Sequence, residues 1–97
     1  MLIKAGVDIS RLKREIRRSL PKVEDAYNRY NEELIVTSTY ESDHGAGSLH
    51  YSDDAYDVRK ANFNRLEIIS EIRVSLGKDY DVVDEVDHIH IEYDPKG

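Results

Sequence analysis

Three side chains in this sequence are of the types that bind a catalytic metal ion, and they fall in two short segments. His50 and Asp57 lie in Ser-Leu-His-Tyr-Ser-Asp-Asp-Ala-Tyr-Asp with six residues between them, and His90 follows 33 positions after Asp57. Two imidazoles and one carboxylate leave the fourth position of a tetrahedral zinc ion open for water. The chain has no cysteine, so its metal ligands must be nitrogen or oxygen atoms. These residues are a candidate zinc set.

All four histidines of the chain lie in these two segments, His44 with His50 and His88 with His90. Residues two apart on a strand project from the same face, so His88 and His90 would share a polar face while the neighbouring isoleucines point into the core. Short motifs of this kind also arise from histidines that only form hydrogen bonds. The residues alone therefore leave both interpretations open.

The carboxylates of the first segment allow a second metal hypothesis. Asp53, Asp54 and Asp57 could offer oxygen ligands to calcium. The segment lacks the sixth-position glycine and the terminal glutamate of an EF-hand loop, which disfavours calcium.

Composition limits the class of protein and partner. The chain has 97 residues, which we interpret as one domain over 1–97, and its formal net charge is −6. This charge argues against nucleic acid as a partner, because phosphate contacts need a basic surface. Basic residues cluster at 11–18, either as an anion-binding patch or as a solvated helix face. The sequence shows neither a membrane-spanning run nor a signal peptide, so we expect cytoplasmic synthesis and no membrane partner.

Apolar residues at steps of three and four predict a helix in the first third of the chain. Its buried stripe comprises Leu12, Ile16, Leu20, Val23, Tyr27 and Tyr30. Asp8 or Ser10 could cap this helix at its start. Pro21 lies inside the pattern and predicts a kink or two helices, with Ser19 capping the second.

A second helix is predicted over 62–76, with Asn62 as its N-cap and Gly77 just past its end. Its inward residues are expected to be Phe63, Leu66, Ile69 and Ile72 or Leu76.

Alternating and β-branched runs predict the strands. They cover 34–39, 55–59, 80–83 and 88–93, after a short apolar edge segment at 2–7. The last two would form a hairpin joined through 84–87. In the second, Ala55, Asp57 and Arg59 share one face. The fold class is therefore α+β, with a small, mainly antiparallel sheet and two helical segments.

The segments around these histidines resemble a known family. Ser48-Leu-His50, an aspartate seven residues after that histidine, and Asp87-His-Ile-His90 are similar to the pattern of zinc peptidases related to D-Ala-D-Ala carboxypeptidases. That group includes D-Ala-D-Ala dipeptidases, phage endolysins that cut L-Ala–D-Glu bonds, and the hedgehog signalling domain. The resemblance covers roughly 34–95. It implies the hedgehog/DD-peptidase zinc-binding fold and a phage or prophage cell-wall peptidase.

The resemblance also implies roles for individual residues. Zn²⁺ would be bound by His50, Asp57 and His90. Asp87 matches the catalytic carboxylate, which takes a proton from zinc-activated water and passes it to the leaving amine. His88 matches the histidine that stabilises the negatively charged intermediate. The substrate would be a bacterial peptidoglycan stem peptide, reached after host-cell release or phage delivery.

The position of Asp87 constrains the last strand. On a regular strand its side chain would point away from His88, so we expect it on the turn before the strand or at a bulge. Asp84 and Glu85 are the fallback bases. A solvated acidic turn without catalytic function is the interpretation that the residues alone favour.

Three further residues are candidates for substrate binding. Ser48 could hydrogen-bond the substrate or serve as a turn hydroxyl, and His44 could lie at the rim of the site or in an exposed loop. Arg59 could pair with Asp57 or with a substrate carboxylate. Many relatives have an arginine soon after the strand that here ends near Ser38, but this sequence continues Thr-Tyr-Glu-Ser-Asp. The alternative function is therefore a non-catalytic zinc-binding module of a phage that binds a peptide or protein.

Overall fold

The structure is a computed structural model that describes residues 1–39 and 54–95. Two helices and a five-stranded mixed sheet form a small α+β domain, as predicted. The elements in chain order are β1 (Leu2–Ile3), α1 (Arg14–Arg29), β2 (Ile35–Ser38), β3 (Ala55–Arg59), α2 (Arg65–Leu76), β4 (Tyr80–Asp84) and β5 (His88–Tyr93). Neither helix is long and apolar enough to span a membrane in this described part of the chain.

The strand order is β1-β2-β3-β5-β4, with β1 parallel to β2 and every other pair antiparallel. The central pair is β3 with β5. Its register places Asp57 opposite His90 and Arg59 opposite His88. The two segments that carry the candidate ligands are therefore direct neighbours, although 33 positions separate Asp57 from His90. The predicted hairpin of β4 and β5 is also confirmed.

The sheet has one apolar face and one polar face. On the apolar face Tyr56, Val58, Ile89 and Ile91 are fully buried in one core with the inner residues of both helices. Alternation along the strands puts a different set on the other side, which we call the polar face. The polar side chains of this face are Asp57, Arg59, Asp81, His88, His90 and Glu92, and Ala55 and Val83 lie among them. Burial of the isoleucines thus fixes the backbone that presents the histidines.

Of the two outcomes predicted at Pro21, the division into two helices is wrong, because α1 is one helix of 16 residues. Pro21 lies on the exposed side, while Leu20 and Val23 on either side of it are buried in the same core. This packing offsets the cost of about 3 kcal/mol of proline in a helix. Ser19 is consequently not a cap. Its buried hydroxyl lies 2.6 Å from the Tyr56 hydroxyl and donates to the Ile16 carbonyl.

Neither predicted N-cap forms. Asp8 accepts hydrogen bonds from the backbone and hydroxyl of Ser10, and α1 begins after Lys13. The second helix begins after Asn64, whose φ of 57° is left-handed, rather than after Asn62.

The inward face predicted for α2 is only partly right. Phe63 and Leu66 are 74% and 66% exposed, so their predicted burial is wrong. Phe63 precedes the helix, and Leu66 falls outside the arc of buried residues. That arc consists of Ile68, Ile69, Ile72 and Leu76.

Candidate functional site

Asp57 is a buried carboxylate with an imidazole near each of its oxygens. The residue is 5% exposed and lies in the middle of β3 between two core residues. His90 Nδ1 lies 2.9 Å from Oδ1, and His88 Nε2 lies 3.6 Å from Oδ2. A buried carboxylate needs such partners, because removing its charge from water is otherwise costly. This part of the polar face is therefore a built polar site.

His90 lies between two carboxylates. Its Nδ1 faces Asp57, and its Nε2 lies 2.6 Å from Glu92 Oε1. Burial lowers the pKa of His90, but the hydrogen bonds with Asp57 and Glu92 outweigh burial, so the net pKa is raised above its ordinary value. Both ring nitrogens therefore have an anionic neighbour, which favours a cation in this position.

Asp87 lies on the turn before β5, as the strand geometry predicted. Its Oδ1 is 2.6 Å from His88 Nδ1, and this contact lowers the pKa of Asp87. The side chain is 86% exposed, unlike that of Asp57. The Glu85 amide donates to the His88 carbonyl and closes the turn. Asp87, His88, Asp57, His90 and Glu92 thus form one row of alternating carboxylates and imidazoles.

The other candidates lie elsewhere or outside the described residues. Arg59 is opposite His88 with an exposed side chain, and across 1–39 and 54–95 its guanidinium forms no ion pair with Asp57. Asp84 pairs with Ile89 and thus lies on the apolar side, where Lys60 Nζ is 2.8 Å from its carboxylate. It is therefore not in the row, and Glu85 is the fallback base that remains. The other predicted site residues fall outside the described ranges: His44, Ser48 and His50, together with the calcium candidate Asp53.

No protein-family model, curated protein or solved structure matches this chain. Interpretation of the site therefore depends on its geometry and on the motifs in the sequence.

The described pair can be compared with two ligands of a zinc ion. Donor atoms at about 2.0–2.1 Å from a tetrahedral zinc ion lie about 3.3 Å from one another. The 2.9 Å between Asp57 Oδ1 and His90 Nδ1 is a few tenths of an ångström shorter and is a hydrogen-bond distance. Two of the three candidate ligands are therefore neighbours with donor atoms of a type that zinc binds.

The sequence analysis did not identify the acidic residues beside this pair. Glu92 contacts His90, and its carboxylate lies with those of Asp81 and Asp94 in a group whose oxygens are within 4.8 Å of one another. The sequence does contain His90-Ile-Glu92 on the predicted last strand, and this spacing places both side chains on one face. Exposed carboxylate groups of this kind often occur without an ion.

Proposed function

We propose that the polar face binds zinc through His50, Asp57 and His90, and that the domain hydrolyses stem peptides of bacterial peptidoglycan. The observation that best supports this proposal is the pair formed by buried Asp57 and His90 on adjacent strands. The choice of substrate follows from the motif resemblance, in which Ser48-Leu-His50 and Asp87-His-Ile-His90 match zinc peptidases of the cell wall. The bond would be of the D-Ala-D-Ala or L-Ala–D-Glu type.

The proposed chemistry involves the zinc ion, Asp87 on the turn before β5, and His88, the first residue of β5. Zinc, when bound, would polarise the peptide carbonyl and lower the pKa of a water ligand. Asp87 has a lowered pKa and is therefore ionised near neutral pH, so its carboxylate can accept a proton and return it to the leaving amine. The low pKa makes Asp87 a weak base, so proton transfer to it depends on the lowered pKa that zinc would give the water. A protonated His88 would stabilise negative charge on the carbonyl oxygen.

The experiment is digestion of purified peptidoglycan with zinc-loaded protein, analysed by mass spectrometry beside a chelated sample. We expect loss of a terminal alanine, or release of stem peptides, that disappears on chelation. Asp57→Ala should lose both zinc and activity. Asp87→Ala should keep zinc but lose about 100- to 10,000-fold in turnover, the range for a general base.

Glu85→Gln is the matched control, since it removes a carboxylate from the same turn. If Glu85→Gln abolishes turnover and Asp87→Ala does not, the base is Glu85. Zinc bound without any cleavage would instead support the non-catalytic peptide-binding module. The missing arginine after β2 and the exposed position of Arg59 favour that second candidate.

A further inference from the structure

Glu92 and His90 are held against each other by the strand that carries both. They alternate with Ile89 and Ile91, which are fully buried, so the backbone of β5 cannot easily rotate them apart. The Nε2 to Oε1 distance is 2.6 Å, and the side chains are only 17% and 21% exposed. The contact therefore needs little additional ordering of side chains.

This contact decides which nitrogen of His90 is available as a ligand. A neutral imidazole has one N–H and one lone pair, whereas an ionised carboxylate can only accept hydrogen bonds. Nε2 of His90 faces Glu92, and Nδ1 faces Asp57 at 2.9 Å. A ring nitrogen that binds a metal ion gives up its proton, so a His90 ring bound through Nδ1 keeps its one N–H on Nε2, where Glu92 can accept it. Nδ1 is then the nitrogen that can bind an ion together with Asp57.

From this geometry we infer that Glu92 is a positioning residue of the metal site, which holds the ring of His90 through Nε2 so that Nδ1 faces the ion beside Asp57. This inference rests on the proposed zinc site. A carboxylate that accepts the second N–H of a metal-binding histidine orients the ring and makes it a stronger ligand. Loss of such a partner typically reduces metal affinity by about 10- to 100-fold.

The neighbouring carboxylates offer a control for charge alone. Asp81 lies directly across from Glu92 on β4, and their oxygens are within 4.8 Å of one another. Asp81→Asn removes one negative charge from the same group but leaves the contact between His90 and Glu92 in place. A specific role of Glu92 and a general electrostatic effect can therefore be separated.

The test measures zinc affinity of the full chain by competition with a chromophoric chelator, at one pH and ionic strength. We expect Glu92→Ala to bind zinc about 10- to 100-fold more weakly than the wild type. Glu92→Gln should recover much of this loss, because its amide oxygen can still accept the Nε2 proton. Asp81→Asn should change affinity by no more than about three-fold, as expected for one screened charge. The cobalt-substituted protein should show altered d–d absorption bands for Glu92→Ala and unaltered bands for Asp81→Asn.

Three results would overturn the inference. Wild-type zinc affinity and cobalt bands in Glu92→Ala would show that Glu92 does not position the ligand. An equal loss in Asp81→Asn would show that charge alone acts. Failure of the wild type to bind zinc would remove the proposed function as well, and this outcome is distinct from the first two. Thermal unfolding of the metal-free variants controls for folding, and Glu92→Leu, which also lacks an acceptor for the Nε2 proton, serves if the alanine variant does not fold.

Discussion

The two faces of β5 show how one strand can serve stability and chemistry separately. Ile89 and Ile91 are fully buried on the apolar face, whereas His88 and His90 on the polar face are 30% and 17% exposed at their side chains. Both pairs of residues lie on one strand, and they face opposite sides of the sheet because side chains alternate along a strand. Burial of Ile89 and Ile91 fixes the position of the strand, and this position determines where His88 and His90 lie. Substitutions on the two faces should therefore affect different measurements.

The largest effect on stability should come from Ile91→Ala. Truncation of a buried isoleucine costs about 2–5 kcal/mol, since it loses apolar contact and leaves a cavity. Urea unfolding of the metal-free protein measures this change. Val83→Ala is the control, because Val83 on the neighbouring strand is 42% exposed and should cost much less. Equal losses in the two variants would contradict the assignment of Ile91 to the core.

His90→Ala changes the polar face of the same strand, one residue before Ile91, and its main effect should be on zinc affinity. It removes a proposed first ligand, so zinc affinity should fall by more than about 100-fold, beyond the loss typical of an outer partner. The free energy of unfolding of the metal-free protein should fall as well, because buried Asp57 loses a hydrogen-bond partner, whereas Ile91→Ala should leave zinc affinity of the folded protein largely unchanged. Chelator competition and urea unfolding on the same preparations give both values. Wild-type zinc affinity in this variant would remove His90 from the site.

A smaller effect should come from the buried hydroxyls beneath the sheet. Burial raises the pKa of Tyr56 well above its ordinary value. The unfolded chain therefore loses this proton first as pH rises, and stability should decrease above about pH 10, by about 1.4 kcal/mol per pH unit for one such group. Near neutral pH, Tyr56→Phe loses the contact with Ser19 and should cost about 0.5–1.5 kcal/mol.

Urea unfolding between pH 9 and 11 checks this prediction. The Tyr56→Phe variant should show a shallower alkaline decrease than the wild type. Tyr27, whose hydroxyl donates to the Arg59 carbonyl, also has a raised pKa. It should therefore account for part of the decrease in stability with rising pH that remains in Tyr56→Phe. An unchanged slope in Tyr56→Phe would show that its hydroxyl ionises as readily in the folded protein as in the unfolded chain.

Local patterns predicted much of the polar face. Alternation indicated that His88 and His90 share one side of the last strand while Ile89 and Ile91 point to the other, because this property depends only on neighbouring residues. The position of Asp87 on a turn followed from the same rule. Residue types placed Asp57 and His90 in one candidate ligand set, but the pairing of their strands depends on packing across the whole sheet.

Errors arose where distant packing overrides a local signal. The burial of Leu20 and Val23 keeps α1 continuous through Pro21, and no local pattern reveals that compensation. The start of α2 depends on the left-handed backbone of Asn64. The contact between Glu92 and His90 was not predicted, because the metal-binding motifs specify ligand types and not the partners of those ligands.

The smallest effect should come from the edge of the apolar face, where Asp84 meets Lys60. The hydrogen bond from Lys60 lowers the pKa of Asp84, so its contribution to stability is present above the unfolded pKa of about 3.8 and is lost as pH falls through the lower folded value. At pH 7, Asp84→Asn should cost about 0.5 kcal/mol, since partly exposed ion pairs contribute little. The variant and the wild type should converge as pH falls below the folded pKa of Asp84. Urea midpoints at pH 7, 4 and 2.5 measure both values. A cost that persists at pH 2.5 would mean that Asp84 acts through packing and not through its charge.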